Sequence, residues 1–307
     1  MKNGIIVINK EDGISSFAVV SRARRLLGAE KAGHTGTLDP MATGVLPVLV
    51  GRAVKASEYM LTSDKHYLAT LLLGITTDTE DITGDELSVS DAIPEESAVF
   101  EAIYSMLGDS EQIPPMYSAL KVGGKKLCDM ARRGEAVERQ PRPITVHAIE
   151  ARKINDREYE IDVKCSKGTY IRTLCADIGA KLGCGAVMKT LVRMEASGFT
   201  LKDAVTLGEL ENMTDEERCA RIIPTEYIFR NERRVTLPPF FARLARCGVE
   251  IYVKKIGVSA DAGERFALYD SDGFFALGET REYEDGLAIK PIKQFGEINR
   301  QSTDNSK

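Results

Sequence analysis

The densest run of reactive side chains lies between Lys31 and Pro47, KAGHTGTLDPMATGVLP, which sets His34, Thr35, Thr37 and Asp39 among glycines. Three chemistries compete for it. Gly33 and Gly36 beside hydroxyls could cradle a phosphate, but such a loop ends in Gly-Lys-Ser/Thr, and here Lys31 precedes the glycines. Thr35-Gly36-Thr37-Leu38 matches part of an aspartyl-phosphate motif, but that motif sets its aspartate two residues ahead of the Thr-Gly pair, where Gly33 stands. The remaining chemistry belongs to Asp39 itself. Between Leu38 and Pro40 it occupies a rigid, apolar turn, because proline fixes its own φ and restricts the residue before it. A carboxylate held there can serve as nucleophile or base if a cation keeps it ionised. A lone Asp-Pro pair is more commonly a plain turn, so the dipeptide alone does not decide.

Metal and thiol chemistry find little support. Cys128, Cys165, Cys175, Cys184, Cys219 and Cys247 form no C-x-x-C pair, and His34, His66 and His147 are widely dispersed. Buried, reduced thiols are the simplest expectation.

The elements that must position Asp39 can be read from the apolar pattern. Residues 4–9 (GIIVIN) predict a short buried strand. Ser15-Ser16, then Phe17, Val20, Ala23, Leu26 and Leu27 at helical spacing, predict a helix ending at Gly28. Residues 29–52 read as loop-rich yet apolar, unlike an ordinary surface loop. A strand over 67–75, an acidic loop after it, and a helix marked by Val99, Phe100, Ile103, Met106 and Leu107 follow. Residues 112–142 are basic and rich in Pro and Gly, with one short helix around KLCDMARRG. Residues 144–154 and 159–165 alternate as a hairpin, 170–182 reads as a helix stopped by Gly183, and 186–196 as a strand. Residues 201–229 look helical and peripheral. From Arg233 the texture changes to β-like pieces (VTLPP, VEIYVKKIG, RFALYDSDGFFALGET, LAIKPIKQF), which predicts a small all-β domain after about residue 230. Residues 298–307 read as a frayed tail. Strands and helices mix without βαβ alternation, so an α+β fold is expected rather than a doubly wound sheet.

The chain has 307 residues, and 41 Lys and Arg against 46 Asp and Glu leave it at −5. A hydrophobic share of 43% is that of a globular protein large enough for about two domains. No apolar run is long enough to cross a membrane, and the N-terminus is too short in apolar residues for a signal peptide, so a cytoplasmic location is expected. An acidic balance argues against a nucleic-acid partner, but the charge is uneven. Residues 61–111 carry −11 and residues 112–153 carry +5, so a local basic surface is compatible with the total.

GHTGTLDPMATGVLPV resembles the catalytic signature of the TruB family of tRNA pseudouridine synthases. Further motifs follow in the family's order. Lys10, Gly13, Ser15 and Ser16 fit its K-P-x-G-x-T/S-S pattern, with Glu11 in the place of the proline. Lys65 and Tyr67 fit the K-x-Y strand, followed by Gly74 and the Thr-Asp-Thr-x-Asp loop at 77–81. Residues 113–121 fit the P-P-x-Y/F-S-A-x-K motif, with Cys128 where an aromatic is usual nearby. Gly168–Thr173 fits G-T-Y-I-R, and Leu191 and Arg193 the L-x-R strand. The resemblance covers residues 4–225.

The resemblance implies a catalytic core over 1–230, with a mainly antiparallel mixed sheet flanked by helices and an RNA-clamping insertion at about 112–142. A PUA-like RNA-binding domain over 231–297 would follow it. It implies isomerisation of uridine to pseudouridine at position 55 of the tRNA T stem-loop, without cofactor or metal; a monomer is the default expectation. Asp39 would be the essential aspartate, either attacking C1′ or removing a sugar proton, next to a developing positive sugar centre. Arg172 would orient that carboxylate and hold its pKa low. Tyr67 would stack on the uracil and assist proton transfer. Tyr170 and Leu191 would line the pocket, and His34 would fill the gap left by the extruded base. Lys10 and Lys121 would contact substrate, with Lys121, Lys125, Lys126, Arg132 and Arg133 meeting phosphates. Two alternatives remain at this point: a guide-RNA-dependent synthase acting on ribosomal RNA, and an RNA-binding or tRNA-folding module whose catalysis is secondary.

Overall fold

The computed structural model describes residues 2–296 except Thr62 and Ala136, together with all side chains in that range but that of Lys126. The segment expected to fray, 298–307, lies outside the described residues. In chain order the first part comprises β1 (Gly4–Lys10), α1 (Ser16–Leu26), β2 (Ala32–His34), β3 (Thr43–Val50), α2 (Ser57–Met60), β4 (Lys65–Leu73), β5 (Ile75–Thr77), β6 (Glu86–Val89), α3 (Glu96–Tyr104) and β7 (Gly108–Gln112). Then come β8 (Lys121–Val122), β9 (Lys125–Lys126), α4 (Leu127–Ala131), β10 (Arg142–Lys153), β11 (Glu158–Cys165), α5 (Ile171–Leu182), β12 (Ala186–Ala196), β13 (Phe199–Thr200), α6 (Leu207–Asn212) and α7 (Asp215–Ala220).

Among the described residues these strands build a nine-stranded sheet in the order β1-β3-β12-β4-β11-β10-β7, with β2 added on β3 and β13 on β12. Its pairings are antiparallel except β3 with β12, where Val192 lies opposite Thr43 and Arg193 opposite Gly44. That single parallel contact brings the end of β12 beside the glycine-rich loop. Strand β4 alternates as a half-buried strand must: Tyr67, Ala69, Leu71 and Leu73 turn into the core. Helices α1, α3, α5 and α6 cover one face, where Val19, Val99, Ile103, Leu174, Ile178 and Leu210 join the main core. Ser15 caps α1 by accepting from the Ala18 N–H at 3.2 Å, and Gly183 ends α5 in the left-handed conformation.

The region read as loop-rich, 29–52, holds the buried strand β3, which explains its apolar composition. Gly44, at φ +102°, lets the backbone of Arg193 approach closer than any Cβ would allow. The strand expected over 67–75 breaks at Gly74 into β4 and β5.

A second, five-stranded sheet follows: β14 (Arg233–Thr236), α8 (Pro239–Arg246), β15 (Ile251–Tyr252), α9 (Val253–Ile256), β16 (Arg265–Asp270), β17 (Gly273–Tyr283) and β18 (Gly286–Gln294), ordered β14-β16-β17-β18-β15. This is the expected C-terminal β unit, but two helices accompany the strands. VEIYVKKIG is a strand only at Ile251–Tyr252; Val253–Ile256 turns helical and stops at Gly257, φ +66°. Ala56 and Phe229 pack on Ala267, Leu277 and Phe295, so the two sheets share a small apolar seam.

Candidate active site

The Asp39 loop, between β2 and β3, is tied down from three sides. The Ser16 hydroxyl donates to the Leu38 carbonyl and accepts from the Leu38 N–H, both at 2.8 Å. The Gly13 N–H donates to the Pro40 carbonyl. Lys10 Nζ donates to the carbonyls of Glu11 (2.8 Å), Pro40 (2.8 Å) and Ala42 (2.6 Å), which uses all three ammonium protons. Lys10 is 1% exposed and, unlike Arg193, is not part of the cleft lining. Lys10 thus braces the loop from beneath, and burial depresses its ammonium to about 8.

Arg172 rises from the first turn of α5. Its Nε lies 3.0 Å from Asp39 Oδ2 and its Nη2 3.3 Å from Oδ1, a two-point pairing. Nη1 donates to the Thr79 carbonyl (3.0 Å) and Nη2 to that of Tyr117 (2.8 Å), while Asp81 Oδ2 stands 3.8 Å from Nε. Asp81 in turn accepts from the hydroxyls of Thr79 (2.9 Å) and Thr83 (2.5 Å). The Arg172 side chain is 6% exposed and that of Asp39 32%, so the arginine is fixed from behind while the carboxylate faces solvent. Burial pushes the Asp39 carboxyl up; Arg172 opposes it, Asp81 adds to it, and Lys10 opposes it. The net direction is upward, although Arg172 itself pulls the carboxyl down. Desolvation outweighs the pair, which leaves a more basic carboxylate.

A cleft of about 560 Å³ opens over Asp39. His34–Asp39 form one wall, Tyr117–Leu120 another and Gly168–Arg172 a third. Tyr67, Leu191 and Arg193 reach it from β4 and β12, where Tyr67 pairs with Arg193 and Ala69 with Leu191. Tyr67 is nearly buried, and burial raises its hydroxyl. Tyr170 lines the cleft at the N-cap of α5, its backbone held by Gln112, which accepts from the Tyr170 N–H (2.8 Å) and donates to its carbonyl (3.0 Å). His34 Nδ1 accepts from the Gly36 N–H at 3.3 Å, and burial with Arg193 nearby lowers its pKa, so the ring is neutral at pH 7. The structure thus gathers Asp39, Arg172, Tyr67, His34, Tyr170 and Leu191 around one cleft and leaves Lys121 outside its lining.

Lys121 sits exposed on the β8–β9 hairpin with Lys125, whereas the Lys126 side chain lies outside the described atoms. Arg132 and Arg133 pair with Asp129 (3.7 Å) and Glu135 (2.7 Å). Sequence reasoning assigned no role to Asp81, Lys65, Tyr117 or Arg193. Arg193 was legible only as a motif landmark, and Asp81 was masked by its acidic loop. Among the described residues no group of three His, Cys, Asp or Glu side chains converges as a metal site, and no helix is long and apolar enough to cross a membrane.

A carboxylate clamped by arginine, an aromatic ring and an apolar side chain around a slot suit a flat base on a sugar. Residues 24–171 match the N-terminal domain of the TruB family pseudouridylate synthases, and residues 172–230 a tRNA pseudouridylate synthase B C-terminal domain. The chain belongs to the TruB family. Among its relatives is a tRNA pseudouridine synthase B of Methylobacillus flagellatus, 39% identical over 96% of this chain and 97% of that one. The enzyme of the same name from Clostridium novyi is 41% identical over 94% and 99%. Of solved structures, a Cbf5-Nop10-Gar1 complex superposes with a TM-score of 0.70 at 26% identity, covering 96% of this chain and 85% of that one. The family's α+β core is therefore the fold of this chain.

Proposed function

We propose that the protein isomerises uridine to pseudouridine in tRNA, at the T-loop uridine of position 55. The observation that carries this reading is the solvent-facing Asp39 carboxylate, clamped by Arg172 at 3.0 and 3.3 Å in a cleft shared with Tyr67 and Leu191. Family membership and the tRNA enzymes at about 40% identity support it.

The uridine is extruded into the cleft, a step that costs a few kcal/mol and least where the base is weakly stacked. Tyr67 and Leu191 sandwich the uracil, and the neutral His34 ring stacks in the gap it leaves. The C1′–N1 bond breaks, and Asp39 meets the electron-poor sugar either at C1′ or at the adjacent C–H. The uracil turns, and C5 bonds to C1′. The change is redox-neutral, so it needs no electron-transfer cofactor. We assign catalysis to residues 1–230, RNA clamping to about 112–142 and a PUA-like RNA contact to 231–297. The protein acts as a cytoplasmic monomer on the tRNA T stem-loop.

Incubation with an unmodified tRNA transcript, followed by pseudouridine mapping, tests this. Product at position 55 is expected without any partner protein or guide RNA. Product only with a guide RNA would favour the ribosomal reading. Absence of product with intact RNA binding would favour an RNA-folding module.

A further inference from the structure

Arg193 is the largest of the fully buried side chains, at 1% exposure. Unlike Arg172, which answers Asp39 and Asp81, it has no carboxylate at ion-pair distance among the described residues. Its hydrogen-bond acceptors are neutral carbonyls: Nε donates to Val45 at 2.7 Å and Nη2 to Gly36 at 3.1 Å. It pairs with Tyr67 across β12 and β4, and its charge acts on the Tyr67 hydroxyl. The cations Lys10 and Lys65 lie close enough to feel its charge, as does His34. A buried charge without a counter-ion is costly, and a fold keeps one where something else answers it. Arg193 lines the cleft, so the answering charge can arrive with the substrate.

We propose that Arg193 is a positioning residue that stabilises the negative charge developing on the uracil ring, acting through Tyr67 and the loop it anchors at Gly36 and Val45. The inference rests on the isomerase reading. When the C1′–N1 bond breaks, both its electrons go to N1 and spread over the ring oxygens. C5 then supplies the pair that bonds C1′, its proton leaves to a base, and N1 takes up a proton. Atoms and charge balance with no co-reactant. The ring is anionic only between cleavage and re-attachment, so a fixed cation beside it favours that stage over bound uridine. Two carbonyl anchors hold the guanidinium in place, so it need not reorganise as the charge appears.

The test is single-turnover kinetics on an unmodified tRNA transcript with Arg193→Lys and Arg193→Gln, alongside RNA affinity and thermal unfolding. The glutamine retains polar contacts without charge; the lysine retains charge without the fork. Expected is a loss of about 10²-fold in the rate of chemistry for Arg193→Gln, with RNA Kd within threefold of the parent. Arg193→Lys should recover at least a tenth of the parent rate. A glutamine variant as fast as the lysine one would overturn the proposal and leave Arg193 a loop anchor. If the glutamine chain does not fold, Arg193→Met, which fills the volume, replaces it with the same expectations. A parent enzyme that makes no pseudouridine would instead overturn the isomerase reading, so the two failures are distinguishable.

Discussion

The floor of the cleft and the basic segment above it follow opposite designs. Under the cleft, three cations are buried and multiply held: Lys10 by three carbonyls, Arg172 by Asp39 and two carbonyls, Arg193 by two more. Along 112–142, Lys121, Lys125, Arg132 and Arg133 are exposed, and those two arginines lean on Asp129 and Glu135 of their own segment. Fixed groups suit chemistry, where reorganisation is slow and costly. Exposed groups on a short hairpin suit affinity for a polyanion, where charge matters more than position.

Breaking the floor should therefore stop chemistry and spare binding. The largest effect is expected for Asp39→Ala: a fall of about 10⁴-fold in single-turnover rate with RNA affinity nearly unchanged. Arg172→Lys keeps charge and loses the two-point pairing, and a fall of about 10²-fold in kcat is expected. Because burial raises the Asp39 carboxyl and Arg172 opposes that rise, the acidic limb of the parent's pH–rate profile is expected above the ordinary aspartate range of about 4. Loss of the two-point pairing should move that limb to higher pH. A limb that stays put would mean that Asp39 is not the titrating group. Lys10→Met leaves three loop carbonyls without their shared donor, and denaturant unfolding should record a loss of about 2 kcal/mol. Stability equal to the parent would show that the brace is dispensable.

Neutralising the β8–β9 hairpin should do the reverse. Lys121→Gln with Lys125→Gln should raise RNA Kd several-fold and reduce the slope of log affinity against log salt by about 1.5, with the rate of bound RNA unchanged. Unchanged salt dependence would remove this hairpin from the interface.

Much of the frame was legible because apolar periodicity reports burial directly. The helix of Ser16–Leu26, the hairpin of β10 and β11 and the helix ending at Gly183 lie where spacing and caps put them. Strand β3 was not legible, since its glycine and proline normally signal a loop, whereas here Gly44 allows close approach of the Arg193 backbone. Helix α9 hid within β-branched residues because tertiary packing overrides local propensity. At the site, motif order singled out Asp39, Arg172 and Tyr67, and the structure shows how they meet. The roles of Lys10 and Arg193 were not legible, because a sequence shows that a residue is cationic but not whether carbonyls, a carboxylate or solvent receives it.

The central claim is that chemistry resides in the Asp39 cleft and affinity in the exposed basic segment. It is tested most directly by measuring single-turnover rate and RNA Kd together for Asp39→Ala and for the Lys121/Lys125 double variant. The account predicts that the first loses rate at parental Kd and the second loses Kd at parental rate. An Asp39→Ala enzyme that still forms pseudouridine at an appreciable rate would contradict it.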